Sequence, residues 1–373
     1  MLDNAKRLPR SRVIAAGVVV FALIGVGVGF AVTSSGPARH LSAPPVPKTT
    51  TTTTTTVPRY VASRTICPLT DMRAPGGVVP RRPALLVKIG NEPDGARPQS
   101  GLNEADIVFD TPAEGFIMRY AAVYQCNNAS SIGPTRSVRW VDWNMIARLF
   151  VRPILAFAGG INPNVDGVAS KSWIGEADLL GNAASAGVRI TSRVAPDNLY
   201  TSTQALYAMF KKRTAPPPPI FDYSASPPPG STPATSVGIN FSYGTDAIWQ
   251  WKAASGLWLH TYSGSPDIDT LTGQQVSTTN IVLIVAHYLI GPFAENQLPG
   301  SGDVESQLQG SGAAYVFRDG RSVAVTWHRQ DQLSKFTFTN AKGQAVDLAP
   351  GRTWVEIDPD TQAHAPGGIT ITR

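Results

Sequence analysis

Residues 13–32, VIAAGVVVFALIGVGVGFAV, run for twenty positions without a charged side chain. As a helix such a run rises about 30 Å, the thickness of a bilayer's hydrocarbon core. Lys6, Arg7, Arg10 and Arg12 precede it, and basic residues on that flank hold an N-terminus on the cytoplasmic side. A cleaved signal peptide is the competing reading, but its apolar core is usually about 7–15 residues. No cysteine directly follows the run to carry a lipid. The expectation is a cytoplasmic segment over 1–12, a single transmembrane helix over 13–32, and the remaining chain outside the cytoplasm.

Residues 33–62 are rich in Ser, Pro and Thr, with eight consecutive threonines from Thr49 to Thr56. Too few apolar groups are present to offset the entropy of ordering, so this stretch reads as a disordered stalk. The charge balance supports that division. The chain is formally +6, yet Lys6, Arg7, Arg10, Arg12, Arg39, Lys48 and Arg59 against Asp3 supply all of the excess. The region from residue 63 onward is neutral and lacks the basic footprint of a nucleic-acid binder. Its two cysteines, Cys67 and Cys126, are most simply one disulfide in an oxidising compartment.

The sequence pattern predicts an α+β fold: a mixed α/β domain over 63–213, a Pro-rich connector over 214–236, and a β-rich domain over 237–373. PALLVKI (83–89), ADIVFD (105–110), FIMRYAAVYQ (116–125) and PILAFAGG (153–160) read as strands, while SVRWVDWNMIARLF (137–150) and STQALYAMFKKR (202–213) have apolar residues at helical spacing. Beyond the prolines, NIVLIVAHYLI (280–290) reads as a strand, and Asp319-Gly320 joins two alternating runs as a hairpin turn.

No Gly-rich nucleotide loop, HExxH or GxSxG occurs, and the five histidines lack metal-ligand spacing. No cofactor and no metal are expected. The densest ionisable stretch is NEADIVFDTPAEGFIMRY, with Glu104, Asp106, Asp110, Glu114 and Arg119. With a period of two, Asp106 and Asp110 share one strand face. Arg119 is their partner on the next strand if the register brings it opposite. Downstream, GPTRSVRWVD contributes Arg136 just before the predicted helix and Arg139 and Asp142 on one side of it. Upstream, the loop NEPDGARPQSGL offers Asn91, Arg97 and Gln99, followed by Asn103. Arginines gathered in loops suit a carboxylate or phosphate ligand, although they also brace loops through ion pairs.

CPLTD, RRPALLVKIGN, ARPQSGLNEADIVFDTPAEGFIMRY, GPTRSVR, NLYTST, FRDGRSVAVTWHR and LAPGRTWVEI together resemble the YerB-like lipoproteins, a bacterial envelope family defined by a domain of unknown function. The resemblance runs from Cys67 to the C-terminus. It implies that Arg97, Gln99, Asn103, Glu104, Asp106, Glu114, Arg119, Arg136, Arg139, Asn198 and Trp327 are the positions of interest, without assigning catalysis to any. The chain departs from the pattern where Asp110 replaces a frequent Glu, where Ala158 precedes Gly159-Gly160, and where Asp197 replaces a His. The lost histidines weaken any general base carried over from the family. Relatives anchored by a lipid and this chain's apolar run both put the domain on the outer face of the cytoplasmic membrane.

Two functions follow as expectations. The first is a membrane-tethered envelope protein that binds a wall glycan, peptide or partner protein through Arg119, Arg136 and Arg139, with Arg97, Gln99, Asn103, Glu104, Asp106 and Asn198 as further ligand-binding candidates. The second is a hydrolase or transferase of envelope polymer with Asp106 and either Asp110 or Glu114 as acid and base.

Overall fold

In the computed structural model of the chain, which describes residues 63–241, 246–262, 264–294, 302–363 and 368–373, the apolar runs become strands. The longer ones are Leu85–Ile89 (β1), Ile107–Pro112 (β2), Met118–Tyr124 (β3), Ile154–Phe157 (β4) and Gly175–Asp178 (β5). After the prolines come Ser236–Ile239 (β6), Ala247–Lys252 (β7), Leu257–Tyr262 (β8), Asn280–Ala286 (β9), Tyr288–Ala294 (β10) and Gly302–Ser306 (β11). Gly310–Arg318 (β12), Arg321–Arg329 (β13), Thr337–Asn340 (β14), Thr353–Pro359 (β15) and Ile369–Thr372 (β16) complete the series.

One sheet runs β14-β13-β12-β9-β15-β2-β3-β1-β4-β5. Its centre joins the two halves of the sequence: β2 pairs antiparallel with β3 and parallel with β15, which in turn pairs parallel with β9. A second sheet, built around β8-β7-β6-β16, covers one face. Alternation sorts the core accordingly. Leu86, Phe109, Val123, Val282 and Val355 look to one side, and Val87, Val108, Tyr120, Leu283 and Trp354 to the other. Trp249 of β7 and Trp258 of β8 fill the space between the sheets, with ring centroids 5.0 Å from Trp354 and 5.9 Å from Phe317. Each fully buried aromatic contributes about 2–3 kcal/mol by area.

These pairings correct the expected α+β succession of a mixed domain and a β-rich domain. Strand makes up 40% and helix 14%, so the body is strand-rich, and its main sheet is shared by both halves. Among the described residues the longest α-helices, Asn162–Ala169 (α1) and Thr203–Met209 (α2), have eight and seven residues. Ser202 caps α2, accepting from Ala205 N at 3.1 Å, and the predicted helix over 137–150 becomes a wide turn followed by a tight one, Asp142–Ile146 and Ala147–Phe150. The Pro-rich stretch packs rather than dangling: Phe221 stacks on Phe336 and Phe338, and Thr232 and Pro233 pair with the start of β13.

The expected cytoplasmic segment, membrane helix and stalk, residues 1–62, lie outside the described residues. Among the described residues no helix is long and apolar enough to cross a membrane, so the structure gives the expected transmembrane helix no support. The predicted strand 280–290 is two strands, which break at His287; that residue is exposed, with Nδ1 3.2 Å from Asp360. The Asp319-Gly320 turn does form the hairpin, both residues having positive φ.

Candidate functional site

The ends of β1 and β3 and the segment 133–142 build a network of charges on the sheet face away from the second sheet. Arg136 N donates to Lys88 O at 3.0 Å and Gly90 N to Pro134 O at 2.9 Å, which lays the loop after β1 beside the arginine-bearing segment. Gly90 is needed there: a Cβ would lie 2.8 Å from both Arg136 Cγ and Glu92 Oε2. Glu92 Oε1 receives Arg119 (2.8 Å) and Arg136 (2.9 Å), and Arg136 also donates to Asp197 at 3.0 Å. Arg139 holds Glu114 Oε2 through Nε at 2.9 Å and a terminal nitrogen at 2.6 Å. Beneath them Lys88 is fully buried and donates to Asp142 (2.8 Å) and Thr111 (2.9 Å), while Asp142 accepts from Arg139 N at 2.7 Å.

Burial pushes the Lys88 ammonium below its ordinary pKa, opposed by Asp142. Burial alone would raise Glu92, but Arg119 and Arg136 outweigh it and hold the carboxylate low. Asp197 is raised, burial exceeding the pull of Arg136. Not every polar atom is used. Arg119 Nη1, Glu92 Oε2 and Glu114 Oε1 are buried without a hydrogen-bond partner. The three guanidiniums and three carboxylates nearly cancel, so this surface offers both donors and acceptors rather than a strong field of one sign.

The opposite sheet face holds a second group. Register places Asp110 beside Glu356 and opposite Tyr120, not Arg119, whose cross-strand neighbour is Thr111. The expected Arg119–Asp110 pairing therefore fails, because one residue of register turns a side chain to the other face. Burial and the adjacent Glu356 raise Asp110, and burial raises Glu356. Glu356 accepts from Trp249 Nε1 at 2.7 Å, and His260 Nδ1 is 2.8 Å from Asp267. Arg97 reaches in from the loop, with its guanidinium over the Tyr262 ring and one nitrogen 3.5 Å from Tyr120 OH.

The remaining sequence candidates are placed elsewhere. Gln99 donates to Gly90 O and Asn91 Oδ1, both at 3.1 Å, and shapes the loop. Asn103 clamps the second sheet, donating to Gln275 O at 3.2 Å and accepting from Ser277 N at 3.0 Å. Glu104 is half-buried near Arg352. Asp106 accepts from Gln125 N, Cys126 N and Asn127 Nδ2 at 2.5, 3.0 and 3.1 Å, which ties down the end of β3 next to the Cys67–Cys126 disulfide. Asn198 accepts from Arg189 at 2.6 Å. Trp327 is buried, donating to Val285 O. Asp106 and Asp110 stand four strand positions apart, about 13 Å, and Glu114 lies beyond the far end of β2. Arg119, Arg136, Arg139 and Glu114 do come together. Glu92, Lys88 and Glu356 were not singled out from the sequence; a lone lysine inside PALLVKI and an acid alternating with Trp354 and Ile357 were the available signals.

Comparison with known proteins agrees with this architecture. Residues 69–216 match the family model described as "Protein of unknown function (DUF3048) N-terminal domain", and residues 237–355 match its C-terminal domain. The chain is 27% identical over 319 residues to the protein named "Putative lipoprotein YerB" of Bacillus subtilis (strain 168), covering 81% of this chain and 88% of that one. It superposes on the crystal structure of YerB from Bacillus subtilis with a TM-score of 0.69, at 23% identity, over 83% of this chain and 99% of the other. With both family models matched across most of its length, the chain belongs to the DUF3048 family.

Proposed function

We propose that this is an envelope-associated binding protein whose network of Arg119, Arg136, Arg139, Glu92 and Glu114 holds a polar component of the cell wall, either a glycan, a peptide or a partner protein. The lipoprotein named among its relatives supports the location. The observation that carries the binding reading is the set of buried, unsatisfied polar atoms in that network, Arg119 Nη1, Glu92 Oε2 and Glu114 Oε1. Buried polar groups without partners cost about 1–3 kcal/mol each, and a ligand that supplies an acceptor to Arg119 and donors to Glu92 and Glu114 recovers that cost. Near-cancellation of charge favours a neutral or zwitterionic polar ligand over a polyanion.

An envelope-polymer hydrolase or transferase built on Asp106 with Asp110 or Glu114 fits less well. Glycosidic acid–base pairs work at roughly 5–9.5 Å, whereas Asp106 is taken up by three donors and is about 13 Å along the strand from Asp110.

Arg136 is the better probe, since Arg139 is wholly buried while Arg136 keeps some exposure. Arg136→Ala is expected to abolish pull-down of solubilised wall fragments by the purified protein while its circular dichroism stays unchanged. Undiminished capture by the variant would sink the site.

A further inference from the structure

Beside this network lies a cleft of about 270 Å³. It is lined by Trp140, Trp143 and Phe293, with Asp303 and Glu305 from β11. Arg139 and Trp140 are consecutive, so the turn that presents a guanidinium to Glu114 presents an indole to the cleft. The charges of Arg139 and Glu114 both act on Asp303, which ties the two regions electrostatically.

Three features describe what the cleft would take. First, Trp140 and Trp143 meet at 6.5 Å in an edge-on arrangement, and Phe293 faces them from β10 with 55% of its surface exposed. Flat apolar walls of this kind match the C–H face of a pyranose ring whose substituents are equatorial. Second, acceptors stand at the cleft floor and rim. Asp303 Oδ2 takes Trp140 N at 2.7 Å and Asn164 Nδ2 at 2.8 Å, while Asp303 is 3% exposed and its Oδ1 has no partner. The Glu305 carboxylate makes no hydrogen bond or ion pair among the described residues. It lies over Gly291, where a Cβ would come within 2.7 Å of Oε1, so that glycine leaves room for the acid at the rim. Third, no arginine is among the described residues that line the cleft, so its two carboxyl groups disfavour an anionic polymer and accept from hydroxyl and amide donors.

We propose that this cleft is a subsite for an uncharged, hydroxyl-rich sugar ring of a β-linked wall glycan, stacked on Trp140, Trp143 and Phe293 and hydrogen-bonded to Asp303 and Glu305. The proposal rests on the binding reading and narrows it to a glycan. Calorimetric titration of the full-length protein with the β-1,4-linked tetramer of N-acetylglucosamine tests it. Phe293→Ala and Glu305→Ala each change an accessible side chain, and each is expected to weaken tetramer binding about tenfold or more, a loss of about 1.4 kcal/mol. Their unfolding midpoints should match the parent protein. Equal affinity in parent and variants, or no heat from the parent at millimolar tetramer, overturns the glycan assignment. Arg136-dependent capture of wall fragments under those same outcomes would leave the broader binding reading standing, so the two fail separately.

Discussion

At the residue scale, the site is a set of ions whose partners come from distant segments. Arg119 and Glu92 are 27 positions apart, Arg136 and Glu92 44, and Lys88 and Asp142 54. Lys88 illustrates the consequence. Its ammonium and the Asp142 carboxylate are both fully buried, so removing one leaves the other charged in a dry interior. Lys88→Met is expected to lower the unfolding free energy by about 3–5 kcal/mol, read from chemical denaturation. A loss below about 1 kcal/mol, the scale of an exposed pair, would contradict the burial. The arginines and Glu114 were legible in the sequence because charged groups stood out among apolar neighbours. Glu92 was not, since nothing local distinguishes it from any loop acid until Gly90 lets Arg136 pass beside it.

At the element scale, strand parity was readable while pairing was not. Alternation assigned Asp106 and Asp110 to one strand face; Asp110 lies in β2, whereas Asp106 precedes the strand and is held by Gln125 N and Cys126 N. Which strands would flank β2 depended on β15, almost 250 residues away in sequence, and that neighbour sets Asp110 against Glu356 with Asp358 two positions on. Asp358 has both carboxyl oxygens buried without partners, and burial, then Glu356, raises it from 3.8 to about 8. A carboxyl that holds its proton more tightly when folded contributes stability fully below its unfolded pKa and loses it as pH climbs through the folded value. The thermal midpoint should therefore fall as pH rises from about 4 to about 8. Asp358→Asn is expected to flatten the upper part of that decline in calorimetric scans. The part below about pH 6 should remain, because Asp106 and Asp303 are also raised, each to about 6. An unchanged slope between about pH 6 and 8 would contradict the assignment to Asp358.

At the scale of the whole molecule, the shared sheet makes the two halves interdependent. β2 has β3 on one side and β15 on the other, and Asn103 fastens its approach to the second sheet. Residues 63–213 expressed alone would leave the β2 edge unpaired with apolar faces uncovered, a template for aggregation. That fragment is expected to be insoluble or to lack near-ultraviolet circular dichroism, whereas residues 63–373 should be soluble and unfold in one calorimetric transition. A soluble, cooperatively folding 63–213 fragment would refute the interdependence.

The readings that rest on the sequence alone are local: strand periodicity, the Asp319-Gly320 turn, the cysteine pair, the neutrality beyond residue 62, and the arginine and carboxylate motifs that carry the family. Each is set by a side chain's own shape, charge or covalent chemistry, or by neighbours a few residues away. Only the tertiary structure decided that one strand-rich body replaces two successive domains. It also decided that Arg119 turns away from Asp110 toward Glu92, and that Trp140, Trp143, Phe293, Asp303 and Glu305 enclose one cleft. Those outcomes depend on register and on contacts between segments far apart in the chain, where a one-residue shift reverses every side chain and no local pattern records the partner.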